Sequence, residues 1–220
     1  MSDAVLSGIV SVPALPARLL ADWHRDLPPH LGLEPGDVDA LPLARARTRW
    51  PDYRHCVQAV TAWMATQGLN NLINTAEVAL MACRGARYHH DGAQYGGSAF
   101  CNLFLSEDVG LDVHFAATGH RIPLKPGTVM VFDTAQPHAV IDRHSAGFNA
   151  ADFPPDKDRT QVFLTWELPA EHVDVGQALQ IEFDIDREGA LLLDQEQVRL
   201  DGALASVCPE TGRWGIHSID

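Results

Sequence analysis

The strand pattern of this chain is clearest in the stretch TVMVFDTAQPHAVID, which spans residues 128–142. Residues 128–133 form a mostly apolar run, and such a run indicates a strand that is buried on both faces. The turn at residues 134–137 contains a proline, and it places His138 at the start of a second apolar run. The stretch therefore predicts two core strands with a histidine at the head of the second one.

Further strands are predicted on both sides of this stretch. Apolar runs of strand length, separated by turns rich in glycine and proline, occur at residues 78–82, 98–105, 113–115 and 161–168. Several short strands with such turns indicate an antiparallel sandwich or barrel rather than a parallel sheet with helical crossovers. Helical patterns come before these runs, so the elements proceed from helices to strands.

The N-terminal part is predicted to support the sheet. A short β-branched run at residues 8–12 is a candidate edge strand. Apolar residues recur at every fourth position between residues 15 and 27, and a second helix is predicted between Pro51 and a cap at Gly68. Residues 30–50 show no clear period and are predicted to form a long connection.

The whole chain is predicted to form one domain in three parts. Residues 1–73 hold the supporting helices and connections, residues 74–169 the β core, and residues 170–220 a small C-terminal β extension. The extension is predicted from the alternation of polar and apolar residues at 180–185 and the apolar run that follows. About fifty residues make a marginal core on their own, so the extension is not an independent domain.

Composition and charge limit the class of protein. Of the 220 residues, 46% are hydrophobic and 20% are charged, which is typical of a soluble globular protein. The formal net charge of −13 argues against nucleic-acid partners and against a polybasic membrane anchor, because both depend on Lys and Arg. There is no apolar stretch of about 20 residues and no secretory signal pattern, so a cytoplasmic location is expected. The four cysteines lack paired spacing and are predicted to be buried free thiols.

A candidate metal site combines His138 with an earlier segment. His89 and Asp91 stand one residue apart, so on an extended backbone their side chains point the same way. With His138 they would form a site of two imidazoles and a carboxylate, which suits Fe(II) and leaves positions open for substrate and oxygen. His90 lies between them on the opposite face and is predicted to pack or to face solvent. The chain has eleven histidines, so such a pair also arises by chance and can be merely solvated.

The order of these motifs resembles that of a known family. Residues 88–166 resemble the double-stranded β-helix, or jelly roll, of the Fe(II)/2-oxoglutarate-dependent oxygenases, most of all the compact prolyl-hydroxylase-like branch. The resemblance implies a mainly β fold with flanking α-helices. It rests on the His89-x-Asp91 pair, the Pro126-Gly127 turn before residues 129–132, the turn around His138, and an Arg-led strand that ends in Leu164-Thr165-Trp166.

The resemblance also implies a cofactor, a cosubstrate and the residues that bind them. His89, Asp91 and His138 would bind Fe(II), and a basic residue at the start of the strand after the distal histidine would grip the far carboxylate of 2-oxoglutarate. Arg159 is our choice for this task, because it opens the strand that ends in Trp166. A guanidinium can hold a carboxylate through two parallel hydrogen bonds.

Three further residues are candidates for contact with the cosubstrate. Arg143 is the rival of Arg159, and Gln161 shares a strand face with Arg159 and could add a hydrogen bond. Asn102 is the one polar member of a strand face that otherwise holds phenylalanines. A polar group in an apolar face needs a partner, so Asn102 is predicted to contact the cosubstrate.

The expected activity is hydroxylation of an unactivated C–H bond, with conversion of 2-oxoglutarate to succinate and CO2. The substrate class stays open among a small metabolite, an amino acid and a protein side chain, with residues 92–97 and 144–158 as candidate lids. Two alternatives remain: a cupin-type metal enzyme that does not use 2-oxoglutarate, and a non-enzymatic jelly-roll module for binding or assembly. A homo-oligomer formed through the C-terminal strands is also open.

Overall fold

The fold is built on an antiparallel sheet of six strands. In spatial order these strands are β1 (Val5–Ile9), β8 (Thr128–Asp133), β5 (Ser98–Phe104), β10 (Gln161–Pro169), β3 (Glu77–Cys83) and β2 (Val38–Leu41). The structure is a computed structural model that describes residues 2–19, 21–23, 34–181, 199–200 and 203–216. The four strands expected from the apolar runs at residues 78–82, 98–105, 128–133 and 161–168 are all present in this sheet.

A second antiparallel sheet of four strands faces the first one. Its spatial order is β4 (Ala86–His89), β9 (His138–Asp142), β6 (Leu111–Phe115) and β7 (His120–Pro123). Apolar side chains of both sheets form one buried cluster, with Phe104, Phe132 and Phe163 from the six-stranded sheet and Val113 and Phe115 from the four-stranded sheet. The predicted jelly-roll fold is confirmed.

Helices cover the outer face of the six-stranded sheet. Helix α1 spans Leu43–Arg49, and helix α2 spans Tyr53–Thr66 within the predicted limits. On the buried face of α2, Val60 and Met64 join a second core cluster that includes Leu164 of the sheet. Gly68 follows α2 with a φ of +81°, a left-handed conformation that glycine adopts without strain.

Two edge strands were not expected from the sequence. Strand β2 and helix α1 lie within residues 30–50, where a long connection was predicted. Of the residues of β2 only Leu41 is buried, and of those of β7 only Ile122 is buried. Edge strands are held by backbone pairing on one side, so their side chains need no apolar period. The predicted first helix is seen at residues 17–19 and 21–23; residues 15 and 16 precede it without helical structure, and residues 20 and 24–27 lie outside the described residues.

The polar insert between β9 and β10 is anchored to the core. It holds a 3-10 turn at Ala150–Asp152, and the ring of Phe153 is buried and stacks on Phe148 at 5.6 Å. A Cβ at Gly85 would come within 2.5 Å of the Phe153 ring, so this close packing depends on glycine. The insert was expected beside the metal; it starts instead after Asp142, at the opposite end of β9 from His138.

The C-terminal segment contains a helix as well as strands. Helix α4 spans Val173–Leu179, and a small sheet follows with the strands β11 (Arg199–Leu200), β12 (Ala203–Val207) and β13 (Trp214–Ile216). The strand predicted at residues 180–185 falls largely outside the described residues. The backbone N–H of Tyr88 donates to the carbonyl of Pro209, which ties this segment to β4.

Three of the four cysteines are buried free thiols, as predicted, and the fourth is less buried than predicted. Cys56, Cys83 and Cys101 are buried and free, and Cys208 is free and half-buried. Burial raises the pKa of the Cys56 and Cys83 thiols to about 12, so both stay protonated and unreactive. None of the helices in the described part of the chain has the length and apolar character needed to cross a lipid bilayer.

Candidate metal centre and its cavity

The structure brings together the three residues that the sequence predicted as metal ligands. His89 ends β4, His138 begins β9, and the two residues pair directly across the strands, with ring centroids 4.4 Å apart. Asp91 follows β4 and presents one carboxylate oxygen 3.8 Å from Nε2 of His89 and the other 3.7 Å from Nε2 of His138. One potential ligand atom from each residue lies within 4.8 Å of the others.

Backbone carbonyls orient both imidazoles for metal binding. Nδ1 of His89 donates to the carbonyl of Arg87 at 2.7 Å, and Nδ1 of His138 donates to the carbonyl of Gln136 at 3.0 Å. A proton on Nδ1 leaves the Nε2 lone pair free, and in both rings Nε2 is the atom next to the Asp91 carboxylate. Such outer hydrogen bonds fix the tautomer and ring orientation in metal sites.

The backbone around Asp91 is held in place by a turn and a short helix. Its N–H donates to the carbonyl of Thr134 at 2.8 Å, and its own carbonyl accepts from the N–H groups of Gln94 and Tyr95. These last two bonds start helix α3 (Gly92–Tyr95), in the segment that was expected to be a glycine-rich loop. The hydroxyl of Thr134 also donates to the carbonyls of Tyr95 and Ser98. Asp91 is thus fixed relative to the turn that carries His138.

The electrostatics of the cluster favour a bound cation. Burial, with a smaller effect of the neighbouring His89, lowers the pKa of His138 to about 3, so this imidazole is neutral at neutral pH and can act as a ligand. Burial raises the pKa of Asp91, while His89 acts in the opposite direction. Two imidazoles and one carboxylate are donors that suit Fe(II), so the residues present fit that metal.

His90 is directed away from the cluster, as predicted. Its ring packs against Trp214 with centroids 4.8 Å apart, and among the described residues its Nδ1 has no hydrogen-bond partner. Burial lowers the pKa of His90, which keeps the ring neutral against the indole. His90 therefore joins β4 to the C-terminal segment.

A cavity of about 150 Å³ opens beside the three ligands, between the two sheets. Strand register divides its wall on the six-stranded sheet into layers. Phe100 pairs with Glu167 nearest the metal, and Asn102 pairs with Thr165 in the middle. In the deepest layer Phe104 pairs with Phe163, and their rings stack at 4.9 Å. These stacked rings form the floor of the cavity.

Asn102 lines this cavity, whereas Gln161 does not. The hydroxyl of Thr165 donates to Oδ1 of Asn102, which orients the side-chain amide. Gln161 lies one step beyond Phe163 on the same strand face, and its Nε2 donates to the carbonyl of Glu107. The aromatic floor thus separates Gln161 from the metal.

Neither candidate arginine lines the cavity. The Arg159 guanidinium donates to the carbonyls of Val109, Gly110 and Asp152 and pairs with the Asp142 carboxylate at 2.7 Å. Arg143 pairs with two carboxylates, those of Asp108 and Asp112, at 2.9 and 2.8 Å. Both guanidiniums are bound to protein groups below the floor of Phe104 and Phe163. The structure does not bring the predicted carboxylate clamp to the metal.

The described cavity does not fit the far carboxylate of 2-oxoglutarate. Among the described residues that line it there is no Arg or Lys, and its charged groups are the acids Asp91 and Glu167 beside the two imidazoles. An unpaired carboxylate in such surroundings costs several kcal/mol in desolvation. Arg87 lines an open cleft that shares His89 and Asp91 with the cavity and also holds the acids Asp37 and Asp39.

Comparison with known proteins finds similarity of fold without similarity of sequence. Neither a protein-family model nor a curated protein matches the chain. The structure is similar to a Pseudomonas putida prolyl-4-hydroxylase, with a TM-score of 0.41 and 19% identity over 75% of this chain and 92% of that one. A Phytophthora capsici prolyl 4-hydroxylase gives 0.37 and 19% over 78% of this chain and 60% of that one. The non-heme alpha-ketoglutarate-dependent epimerase SnoN from nogalamycin biosynthesis gives 0.37 and 13% over 91% and 92%. At such low sequence identity, the similarity concerns the fold alone.

Proposed function

We propose that this chain is a non-haem Fe(II) enzyme of the oxygenase type. His89, Asp91 and His138 hold the iron, and the adjacent cavity holds the part of the substrate that is oxidised. The observation that carries the proposal is the convergence of two Nε2 lone pairs and one carboxylate at an apolar cavity. Three protein ligands leave up to three octahedral positions free for substrate and oxygen.

The metal and the protein residues have different roles in the proposed reaction. Bound Fe(II) supplies oxygen activation, which no side chain in the cavity can provide. The protein residues hold the metal, orient the substrate through the cavity wall and exclude water from the reacting atoms. An uncharged C–H-rich group fits the apolar interior, so we propose hydroxylation of a small metabolite or of an amino-acid side chain.

The cosubstrate 2-oxoglutarate, implied by the family resemblance, remains a prediction. If 2-oxoglutarate is the cosubstrate, its anaerobic addition to the iron-loaded protein would produce a metal-to-ligand charge-transfer absorption, and turnover would release succinate. Absence of the absorption at saturating 2-oxoglutarate would contradict its use.

A second candidate is a metal-dependent jelly-roll enzyme that does not use 2-oxoglutarate. The observation that favours it is the lack of a basic side chain among the described residues of the cavity. In this case the substrate itself must supply the electrons for the reduction of O2. Oxygen uptake that depends on iron and substrate but not on 2-oxoglutarate would support this candidate.

The proposed function is tested by oxygen uptake of the iron-loaded protein during a screen of small apolar compounds. Uptake should be lost in His138→Ala and retained in His55→Ala, because the His55 side chain is 65% exposed on α2. Equal uptake by both variants would contradict the proposal. Absence of uptake in the wild-type protein with every compound would favour the binding or assembly module.

A further inference from the structure

The floor of the cavity is apolar on both sheets. Phe163 pairs with Phe104 on one side and with Met81 on the other. Val113 and Val140, which pair with each other across β6 and β9, face them from the opposite sheet. A group that reaches this depth therefore meets carbon atoms on all described sides. Such a surface favours an uncharged, apolar group.

A single neutral donor lies in the layer above this floor. Asn102 is 8% exposed, and its Oδ1 accepts the hydrogen bond from Thr165. No hydrogen bond from the Nδ2 donors of Asn102 to another described residue is present, and the side chain lines the cavity. An amide donor at the wall of an apolar cavity is open to an acceptor, so this position is suited to a carbonyl or hydroxyl oxygen of a ligand.

The described cavity offers no positively charged side chain to an anion at its floor. Glu167 lines the cavity and pairs across the strands with Glu77, and Asp91 lies among the metal ligands. The two arginines that could have balanced a carboxylate, Arg143 and Arg159, are bound to protein oxygens elsewhere. A carboxylate that enters the apolar floor without a cation beside it loses its hydration and gains no compensating ion pair.

We propose that this cavity binds an uncharged, mainly apolar group that carries one hydrogen-bond acceptor, held by the side-chain amide of Asn102, and that it excludes the second carboxylate of a dicarboxylic acid. The proposal rests on the proposed iron site, because the iron holds the other end of the ligand. The family resemblance implies a bound carboxylate, whereas the proposal places an uncharged group at the cavity floor.

Two probes that share one chelating end test this proposal on the iron-loaded protein. They are 2-oxoglutarate and the methyl ester of its far carboxylate, which differ in charge at the end that enters the cavity. We expect the ester to bind more tightly by about tenfold or more, as measured by anaerobic charge-transfer absorption. Equal or tighter binding of 2-oxoglutarate overturns the proposal, and so does binding of neither probe to protein that holds iron.

Variants at the middle layer test the role of the amide. Asn102→Ala should weaken binding of the ester by about fivefold, and Thr165→Val, which removes the bond that orients the amide, should weaken it less. Iron content is measured on the same samples to show that both variants keep the site. Unchanged ester affinity in Asn102→Ala overturns the assignment of Asn102. A failure of the wild-type protein to bind iron overturns the proposed function instead.

Discussion

The two ends of strand β9 differ in whether the carboxylate there is paired with a hydrogen-bond donor. At the end that begins with His138, the Asp91 carboxylate faces two imidazole lone pairs, with no hydrogen between them. At the end that closes with Asp142, the carboxylate is paired with Arg159, which also satisfies three backbone carbonyls. Groups that satisfy one another stabilise the fold. Groups that converge without a proton between them are suited to bind a cation.

The largest effect that separates the two ends is expected from Asp91→Ala. Loss of the one carboxylate should lower Fe(II) affinity by about a hundredfold or more, since even residues that only orient metal ligands contribute about tenfold to a hundredfold. Affinity is measured by competition with a chromophoric chelator, and His55→Ala serves as the control. Wild-type affinity in Asp91→Ala would show that the two ends do not differ in this way.

A smaller effect, on stability rather than on metal binding, is expected from Arg159→Met. The change leaves the Asp142 carboxylate and three carbonyls without their donor, so the free energy of unfolding should fall by about 2–3 kcal/mol. Urea denaturation measures this loss, and Fe(II) affinity should stay within about twofold. Arg143→Ala removes a more exposed arginine but leaves the buried Asp112 carboxylate unpaired, so the free energy of unfolding should fall by about 1–2 kcal/mol. Loss of 2-oxoglutarate binding in either variant, with stability unchanged, would restore that arginine as the carboxylate clamp.

The smallest effect is the pH dependence of the metal-free protein. The pKa of His138 is about 3 in the folded state, below the ordinary value of 6.5 that holds in the unfolded chain. Between these values the unfolded chain binds more protons, so stability should fall as pH decreases, by about 1 kcal/mol per unit below pH 6. The raised pKa of Asp91 acts in the opposite direction at lower pH and reduces this slope. Urea denaturation at pH 6.5 and 5.5 should show a flatter dependence in His138→Gln, and an unchanged slope would contradict the assignment.

Local patterns predicted the metal end well. Strand β8 and the turn before His138 follow directly from an apolar run and a proline. The spacing of His89 and Asp91 predicted that their side chains meet, although Asp91 lies just past the end of β4. These features depend on residues close together in the chain. The alternation of side chains along a strand and a proline in a turn are therefore enough to predict them.

The structure at the Asp142 end of β9 was not predicted, because it depends on contacts between residues far apart in the chain. Arg159 was chosen from its position at the start of a strand, yet its partners are backbone carbonyls far from it in the chain. Recognising the floor required the register that pairs Phe104 with Phe163. Thr165 and Glu167 were missed as cavity residues, although alternation along β10 places both on the same face as Phe163.

The three converging ligands are expected to bind one iron. Equilibrium dialysis of the metal-free protein against Fe(II) under anaerobic conditions measures this stoichiometry. We expect about one Fe(II) per chain and its loss in the double variant His89→Ala with His138→Ala, since two of three ligands are then absent. Iron retained by the double variant, or none retained by the wild-type protein, would contradict it.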